Sequence, residues 1–544
     1  MATMTSVETP EHKPAGDTPF PAMQKGSRVR WQGAAFIAAT GVVFMNAYRE
    51  SGDSVAHFAP ALFMLILWSL QAAVFVWLTW FSGLAPLTRF KLLAGLFVAE
   101  LGLISTICVA GYTGNRRPVL AWRWAQARAA SSSRAVPPPA MHTRQPVIDL
   151  AHATPTDWPG FRGSQRDGLV RGAQLNADWE VHPPQEVWRH PVGKGWSSFA
   201  IVGNHCLTQE QRGEFESVVC YELATGRECW VHADRAFYEN VMGGDGPRAT
   251  PTIDRGEVYT LGATGILNCL NGATGTCRWS KNVLHDTRAT NCNYGMCGSP
   301  LVTEDLVIVC PGGVGASLVA YDRGTGDRIW AAGDALASYS SPQRAVLAGR
   351  HQVLIFNAAG LFGHDLRSGQ VLWSLPWETV PEKNNVCQPV VLPPSTAGGG
   401  DRVWISSGYG MGCALLELVG GPEQLAMQRV WSNKNLKAKF TSVVEREGYL
   451  YGLDDALLTC INRETGERCW KKGRYGYGQL VLAGRHVLIQ CESGEVALVE
   501  ASPDRYQECA RFEALSGRTW NHPALAGKFL VVRNDHEAAC YELP

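Results

Sequence analysis

The stretch AYDRGTGDRIW (320–330) decides the fold. It reads as an apolar residue, an acid or amide two positions on, a Thr-Gly pair, and a Trp four positions after the Gly. The same pattern returns as CYELATGRECW (220–230), CLNGATGTCRW (269–279), GHDLRSGQVLW (363–373) and CINRETGERCW (460–470). Weaker copies end at Trp431 and Phe512. Trp188, in QEVWRHPV, has no turn before it, and the final CYELP (540–544) has none after it; joined, they make an eighth copy. Spacings between successive aromatic ends run from 39 to 58 residues, near the period of roughly 40–50 residues of four-stranded propeller blades. The physical reading is direct. Gly accepts φ > 0 at the hairpin turn, and the Trp packs flat between neighbouring sheets. One such sheet cannot bury both faces, so blades stack around an axis.

A second marker runs in phase with the first. Each unit has a small or polar run entering an apolar strand, often through Pro. The copies are WSSFAIV (196–202), RATPTI (248–253), CGSPLV (297–302), YSSPQRAVL (339–347), VCQPVVL (386–392), FTSVV (440–444), YGQLVL (477–482) and WNHPALA (520–526). These predict eight innermost strands, their first residues gathered at one mouth of a central channel. The fold expected is all-β: an eight-bladed propeller over 156–544, closed by its last strands pairing with 185–192. Trp188, Trp230, Trp279, Trp330, Trp373, Trp431 and Trp470 are its docking residues.

Composition agrees. The chain has 57 Gly and 19 Trp in 544 residues, with 18% charged residues, against a usual share of about 25%. Its 49 basic and 49 acidic residues cancel. That argues against nucleic acid, which wants a clustered basic face.

The first third reads differently. A polar tail (1–30) ends in Lys25, Arg28 and Arg30, and apolar stretches follow at about 32–48, 58–81 and 92–113. About 20 apolar residues cross a bilayer, so three transmembrane helices are expected within 31–113. A cleavable signal peptide fits poorly behind so long a leading segment. Basic residues stay cytoplasmic, which puts the propeller on the periplasmic side of the inner membrane; Arg116, Arg117, Arg123 and Arg128 after the third stretch run against that rule. Glu100, the one ionisable residue deep in a span, is expected to face a neighbouring helix and to be protonated or hydrogen-bonded there. Residues 114–155, with SSSRAVPPPA (131–140), read as a linker.

The Thr-Gly…Trp repeat resembles the tryptophan-docking repeat of PQQ-type quinoprotein propellers and of the BamB-type outer-membrane assembly protein. DWPGFRGSQRDG (157–168) looks like the opening of bacterial membrane-anchored PQQ-binding-like β-propeller repeat proteins. The resemblance covers roughly 157–544. It implies the fold strongly and the function weakly, since one scaffold hosts many activities.

Quinoprotein dehydrogenases hold PQQ in the funnel with Ca²⁺, an Asp base and, in many, adjacent cysteines. This chain has no Cys-Cys pair and no CxxCH haem site, and no Asp heads an inner strand. The heads carry Arg248, Gln388, Tyr477, Gln479, Trp520 and Asn521, with Lys439 nearby. Arg248 and Lys439 suit carboxylates, and Trp520 suits a flat ring. The favoured reading is that these polar groups plug the channel. No GxSxG elbow, phosphate loop or HExxH is present, and GYGMG (408–412) reads as a turn. Of 16 cysteines, three pairs flank repeat hairpins: Cys220/Cys229, Cys269/Cys277 and Cys460/Cys469. Disulfides at some of them are expected in an oxidising compartment.

The reading preferred is a membrane-tethered periplasmic scaffold for a protein, peptide or glycan partner, with no catalytic residue, metal or cofactor. A PQQ/Ca²⁺ oxidoreductase that passes electrons to membrane quinone is the first alternative; membrane-bound PQQ glucose dehydrogenase shares that arrangement. An envelope sensor acting through Glu100 is the second.

Overall fold

The computed structural model describes residues 59–115, 118–124, 148–377, 384–392, 394, 399–421 and 424–544. The polar tail, the stretch 32–48 and most of the Ser/Pro-rich segment lie outside the described residues.

Residues 61–105 fall in one compact unit, and those from 106 onward in another. In the first, a helix (Ala59–Val76) runs into a π-helical turn (Trp77–Phe81), and a second helix spans Pro86–Thr106. The Gln71 amide donates to the Glu100 carboxylate. Among the described residues no helix is long and apolar enough to cross a membrane. The stretch 92–113 is not one helix. Its helix ends at Thr106, and Ile107–Tyr112 is a strand paired antiparallel with Pro118–Trp122. Within the expected linker, Pro118–Trp122 is therefore the return arm of a hairpin. Ile148 and Leu150 are buried in a cluster with Trp230 and Ile253, while 151–155 are exposed.

The second unit contains eight sheets of four or five strands, plus the two-stranded hairpin. The innermost strands are Ala200–Val202, Thr252–Asp254, Leu301–Val302, Gln343–Leu347, Val390–Leu392, Val444–Arg446, Gln479–Ala483 and Ala524–Ala526. Each begins inside one of the eight expected segments or at its last residue. We number the blades 1 to 8 in that order. Blade 8 closes the ring: its third strand, Glu537–Glu542, pairs with Gln185–Pro191, and Cys540 faces Trp188. Pairing the two ends of the chain removes a free sheet edge. Arg533, fully buried in blade 8, locks the seam by donating to Thr208 Oγ1 (2.8 Å), the Gln209 carbonyl (2.9 Å) and the Gly193 carbonyl (2.7 Å).

The repeat's two invariant parts meet across blades. The turn glycines Gly226, Gly275, Gly326, Gly369 and Gly466 have φ between +69° and +74°, a region that penalises any Cβ. A Cβ there would also lie 2.4–2.8 Å from the rings of Trp188, Trp230, Trp279, Trp330 and Trp431, each from the preceding copy. One glycine thus answers two demands, a left-handed turn and a flat seat for the neighbour's indole. Five indole N–H groups then donate to a carbonyl at the same turn: Trp188 to Leu223, Trp230 to Gly272, Trp279 to Arg323, Trp431 to Arg463 and Trp470 to Ser502, at 2.7–3.2 Å. Trp373 departs from this and donates to Gln352 Oε1 in its own blade. Phe512 packs edge-on against Tyr541 and Trp179.

A polar belt explains the second marker. The Ser198 amide donates to Thr250 Oγ1 (3.3 Å), Thr250 to Ser299 Oγ (2.9 Å), and Ser299 to Ser341 Oγ (2.9 Å). Ser341 continues to Gln388 Oε1 (3.1 Å), and Gln388 to Ser442 Oγ (3.2 Å). Each amide near the axis, buried and outside the strand ladders, takes the side chain of the next blade. Such groups cost free energy when left unpaired, so a polar acceptor precedes the inner strands of blades 2 to 6.

Candidate functional site

The first residues of the inner-strand segments line one cavity of about 220 Å³, and all eight blades contribute. Trp196, Arg248, Cys297, Tyr339, Val386, Phe440, Gln479 and Trp520 come from blades 1 to 8 in turn. Eight of its 21 lining residues are Trp, Tyr or Phe, with Arg248 and Lys439 as its cations and no Asp or Glu among its members.

The seven candidate residues divide. Arg248, Lys439, Gln479 and Trp520 line the cavity. Arg248 lies over the Tyr238 ring at 4.8 Å and donates to the Gly244 and Gly246 carbonyls; burial pushes its pKa down. Lys439 is 5% exposed. Its ammonium sits in a cage of Tyr477 (4.8 Å to the ring centroid), Tyr409 (5.3 Å) and Phe440 (5.9 Å), an arrangement worth more once desolvated. Tyr477 packs on Phe440 at 5.1 Å. Gln479 donates to the Phe440 and Trp520 carbonyls. Gln388 and Asn521 serve the scaffold instead. Gln388 stitches blade 5 to Ser341 of blade 4. Asn521 donates to the Ser197 carbonyl at 2.8 Å, joining blade 8 to blade 1.

Sequence reasoning missed three residues at the mouth. Arg518 has its guanidinium carbon 4.5 Å from the Trp520 ring centroid and 4.9 Å from that of Trp196, and those rings lie 4.9 Å apart. Glu492 accepts from the Trp520 indole N–H (2.9 Å) and the Tyr477 amide (3.0 Å). None of Arg518, Glu492 and Trp196 was signalled as a ligand group: Arg518 and Glu492 lie off the inner-strand heads, and Trp196 opens its segment without an independent motif.

The floor is built from 157–168. Phe161 meets His522 edge-on at 5.0 Å. Arg162 donates to the Val443 and Asp167 carbonyls, both at 2.8 Å. Arg166 reaches the Ser299 and Pro342 carbonyls at 3.0 Å, and also the Pro300 carbonyl. Phe161 of this phrase lines the cavity, while Arg162 and Arg166 bond main-chain carbonyls of blades 3, 4 and 6. Burial pushes Arg162 down to about 10 and Arg166 to about 9.

Burial, and then the Arg162 charge, push His522 down to about 3. Between pH 6.5 and 3 the unfolded chain therefore binds a proton that the folded chain refuses, and stability falls as pH drops below the unfolded value. Acidifying from pH 7 to 5 should cost up to about 2 kcal/mol through this ring. Urea titrations of His522→Gln should show a correspondingly flatter acid limb; an unchanged limb would mean the ring is already hydrated.

All sixteen cysteines are free thiols in the structure. Cys220 and Cys229 share a hydrogen bond that, with His205 nearby, holds Cys229 down to about 5. Cys460 and Cys469 also touch. Cys277 instead faces Leu270 across the ladder, beside Cys269. GYGMG is a turn between strands Arg402–Ser407 and Gly412–Gly421.

The family model described as outer membrane protein assembly factor BamB matches residues 185–472. A search of curated proteins found no match. Among solved structures, BamB from Moraxella catarrhalis is 16% identical, covering 66% of this chain and 100% of that one, with a TM-score of 0.48. Quinohemoprotein alcohol dehydrogenase from Comamonas testosteroni is 13% identical over 76% of this chain and 83% of its own, at 0.53. A europium-containing methanol dehydrogenase is 12% identical over 73% and 100%, at 0.54. At these identities the last two show the propeller fold and nothing further.

Proposed function

The chain belongs to the family of outer membrane protein assembly factor BamB, and from that membership we propose that it is a non-catalytic binding scaffold whose funnel mouth receives a protein segment. One observation carries the reading: the mouth already grips peptide main chain, the chain's own segment 112–114, through Arg518, Glu492 and Lys439. Assembly with a protein partner, the role that the family's name prints, fits such a surface. From the hydropathy pattern of the first third alone we place a tether in the inner membrane, with the propeller in the periplasm.

The oxidoreductase alternative finds less here. Arg248 and Lys439 offer cations for a tricarboxylate, but the cavity gives Ca²⁺ no carboxylate. Among the described residues no group of three or more His, Cys, Asp or Glu suits a metal ion. Ca²⁺ asks for six to eight oxygens, carboxylates foremost, so this donor set does not fit it.

Two measurements test the proposal on the full chain in detergent. PQQ with Ca²⁺ should leave its absorbance and melting unchanged, whereas a ligand at one hundred times its Kd adds about 2.7 kcal/mol. Pull-down from envelope extract should retain a protein that the Lys439→Ala/Arg518→Ala double variant loses. A PQQ-dependent shift, or retention indifferent to the double variant, overturns the scaffold.

A further inference from the structure

The mouth is occupied by the end of a strand and the start of the turn that follows it in this same chain, AGYTGN (110–115). Its main chain is read at three points. Arg518 Nη1 donates to the Tyr112 carbonyl at 2.9 Å, the Gly114 amide donates to Glu492 Oε1 at 2.7 Å, and Lys439 Nζ donates to the Gly114 carbonyl at 3.0 Å. The Tyr477 hydroxyl donates to the Asn115 side chain. A cation, an anion and a second cation thus alternate along the turn, matched to C=O, N–H and C=O. Charge-assisted bonds of this kind are about twice as strong as neutral ones.

The fit also demands the absence of side chains. A Cβ on Gly114 would stand 2.2 Å from Tyr477 Cδ2, and one on Gly111 would stand 2.8 Å from Arg518 Nη1. The arms behind the tip add little. Among the described residues they pair only with each other, and Val109, Leu120 and Trp122 are 48–55% exposed. A lone two-stranded hairpin is marginally stable in water. The mouth therefore holds the tip, and nothing comparable holds the arms.

We propose that the mouth is a receptor for the main chain of a tight, glycine-containing β-turn, with 110–115 as its internal occupant, displaced when a protein partner presents such a turn. This rests on the scaffold reading and names the chemistry of its partner: two glycines three residues apart in a hairpin tip, with little selection on other side chains. The internal tip lowers apparent affinity for the partner by the fraction of time it fills the mouth, so vacating the mouth raises affinity.

A labelled peptide of residues 107–122 is the probe, titrated by anisotropy into the full chain in detergent. Gly114→Val in the protein ejects the tip, and the peptide should then bind at least about tenfold tighter than to the unaltered chain. The peptide carrying the same Gly114→Val should lose binding to both. Adding Arg518→Ala to the ejected variant should weaken the unaltered peptide by about tenfold, the loss of one charge-assisted bond. Equal affinity for both proteins, or undiminished binding of the valine peptide, overturns the proposal. If the Gly114→Val protein does not fold, hydrogen exchange at the Gly114 amide of the unaltered chain decides. Excess peptide should speed it, and no change overturns the proposal. The two readings fail separately. Partner capture equal in the unaltered chain and the ejected variant leaves the scaffold standing without the turn receptor. Peptide binding without any captured partner leaves the receptor without the scaffold.

Discussion

Trp279→Ala destabilises the propeller by about 3–5 kcal/mol, the range for deleting a large buried aromatic. The ring is 8% exposed and packs in the cluster of Tyr259, Leu267, Val307 and Tyr321, which spans blades 2 and 3. Its N–H donates to the Arg323 carbonyl at 2.9 Å, and its face carries Gly326 of the next turn. Truncation removes all three at once: apolar burial, a hydrogen bond to an enclosed carbonyl, and the surface on which the neighbouring turn rests. Gly326→Ala approaches the same interface from the other side, since its Cβ would stand 2.7 Å from the indole at φ +73°. The two effects should be non-additive, because residues in contact share one interaction. Trp124→Ala, at a 52% exposed ring, should stay within about 0.5 kcal/mol. Urea titration of the three single variants and the double variant measures this. A Trp279→Ala loss below about 1 kcal/mol would mean that the blades are not wedged by their indoles.

That contact also shows why the fold was legible. A Gly that must take a left-handed φ and also carry a neighbour's ring leaves a spaced, repeating trace in sequence. So does the polar acceptor preceding the inner strands of blades 2 to 6. Closure was legible because Trp188 lacked a turn and Tyr541 lacked an aromatic partner downstream. The hairpin was not. ICVAGYTGN (107–115) continues the apolar run of 92–106 without a break, and hydropathy does not distinguish a helix from a strand in such a run. Only the glycines at 111 and 114 and Pro118 hinted at the turn. The site was half legible for a related reason. Strand heads are found by counting, which led to Arg248, Lys439, Gln479 and Trp520, and equally to Gln388 and Asn521, whose amides hold blades together. Arg518 and Glu492 sit in connections between strands, where no period marks them.

Arg166→Ala should cost about 3 kcal/mol or more, although the residue belongs to no blade and touches no candidate ligand group. Its guanidinium lies on the axis and bonds the Ser299, Pro300 and Pro342 carbonyls, with Thr252 Oγ1 at 3.4 Å. These groups come from blades 2, 3 and 4. Each buried acceptor left unpaired costs about 1–3 kcal/mol; the Ser299 and Pro342 carbonyls lose this donor together, while the Pro300 carbonyl keeps the Thr252 hydroxyl. Arg166→Lys keeps a charge but not the fork that spans three acceptors, so it should recover only part of the loss. Arg166→Met fills similar volume without donors, and it separates packing from hydrogen bonding. If Met restores most of the stability, the carbonyls find water through the groove lined by Gln165, Thr252 and Gln343, and the arginine is mainly filler. If Met and Ala are equally poor, the donors are what matters. The second result is expected, because carbonyls of blades 3 and 4 and the Thr252 hydroxyl of blade 2 converge on one planar cation. The phrase 157–168 is then the hub on which blades 2, 3 and 4 are hung.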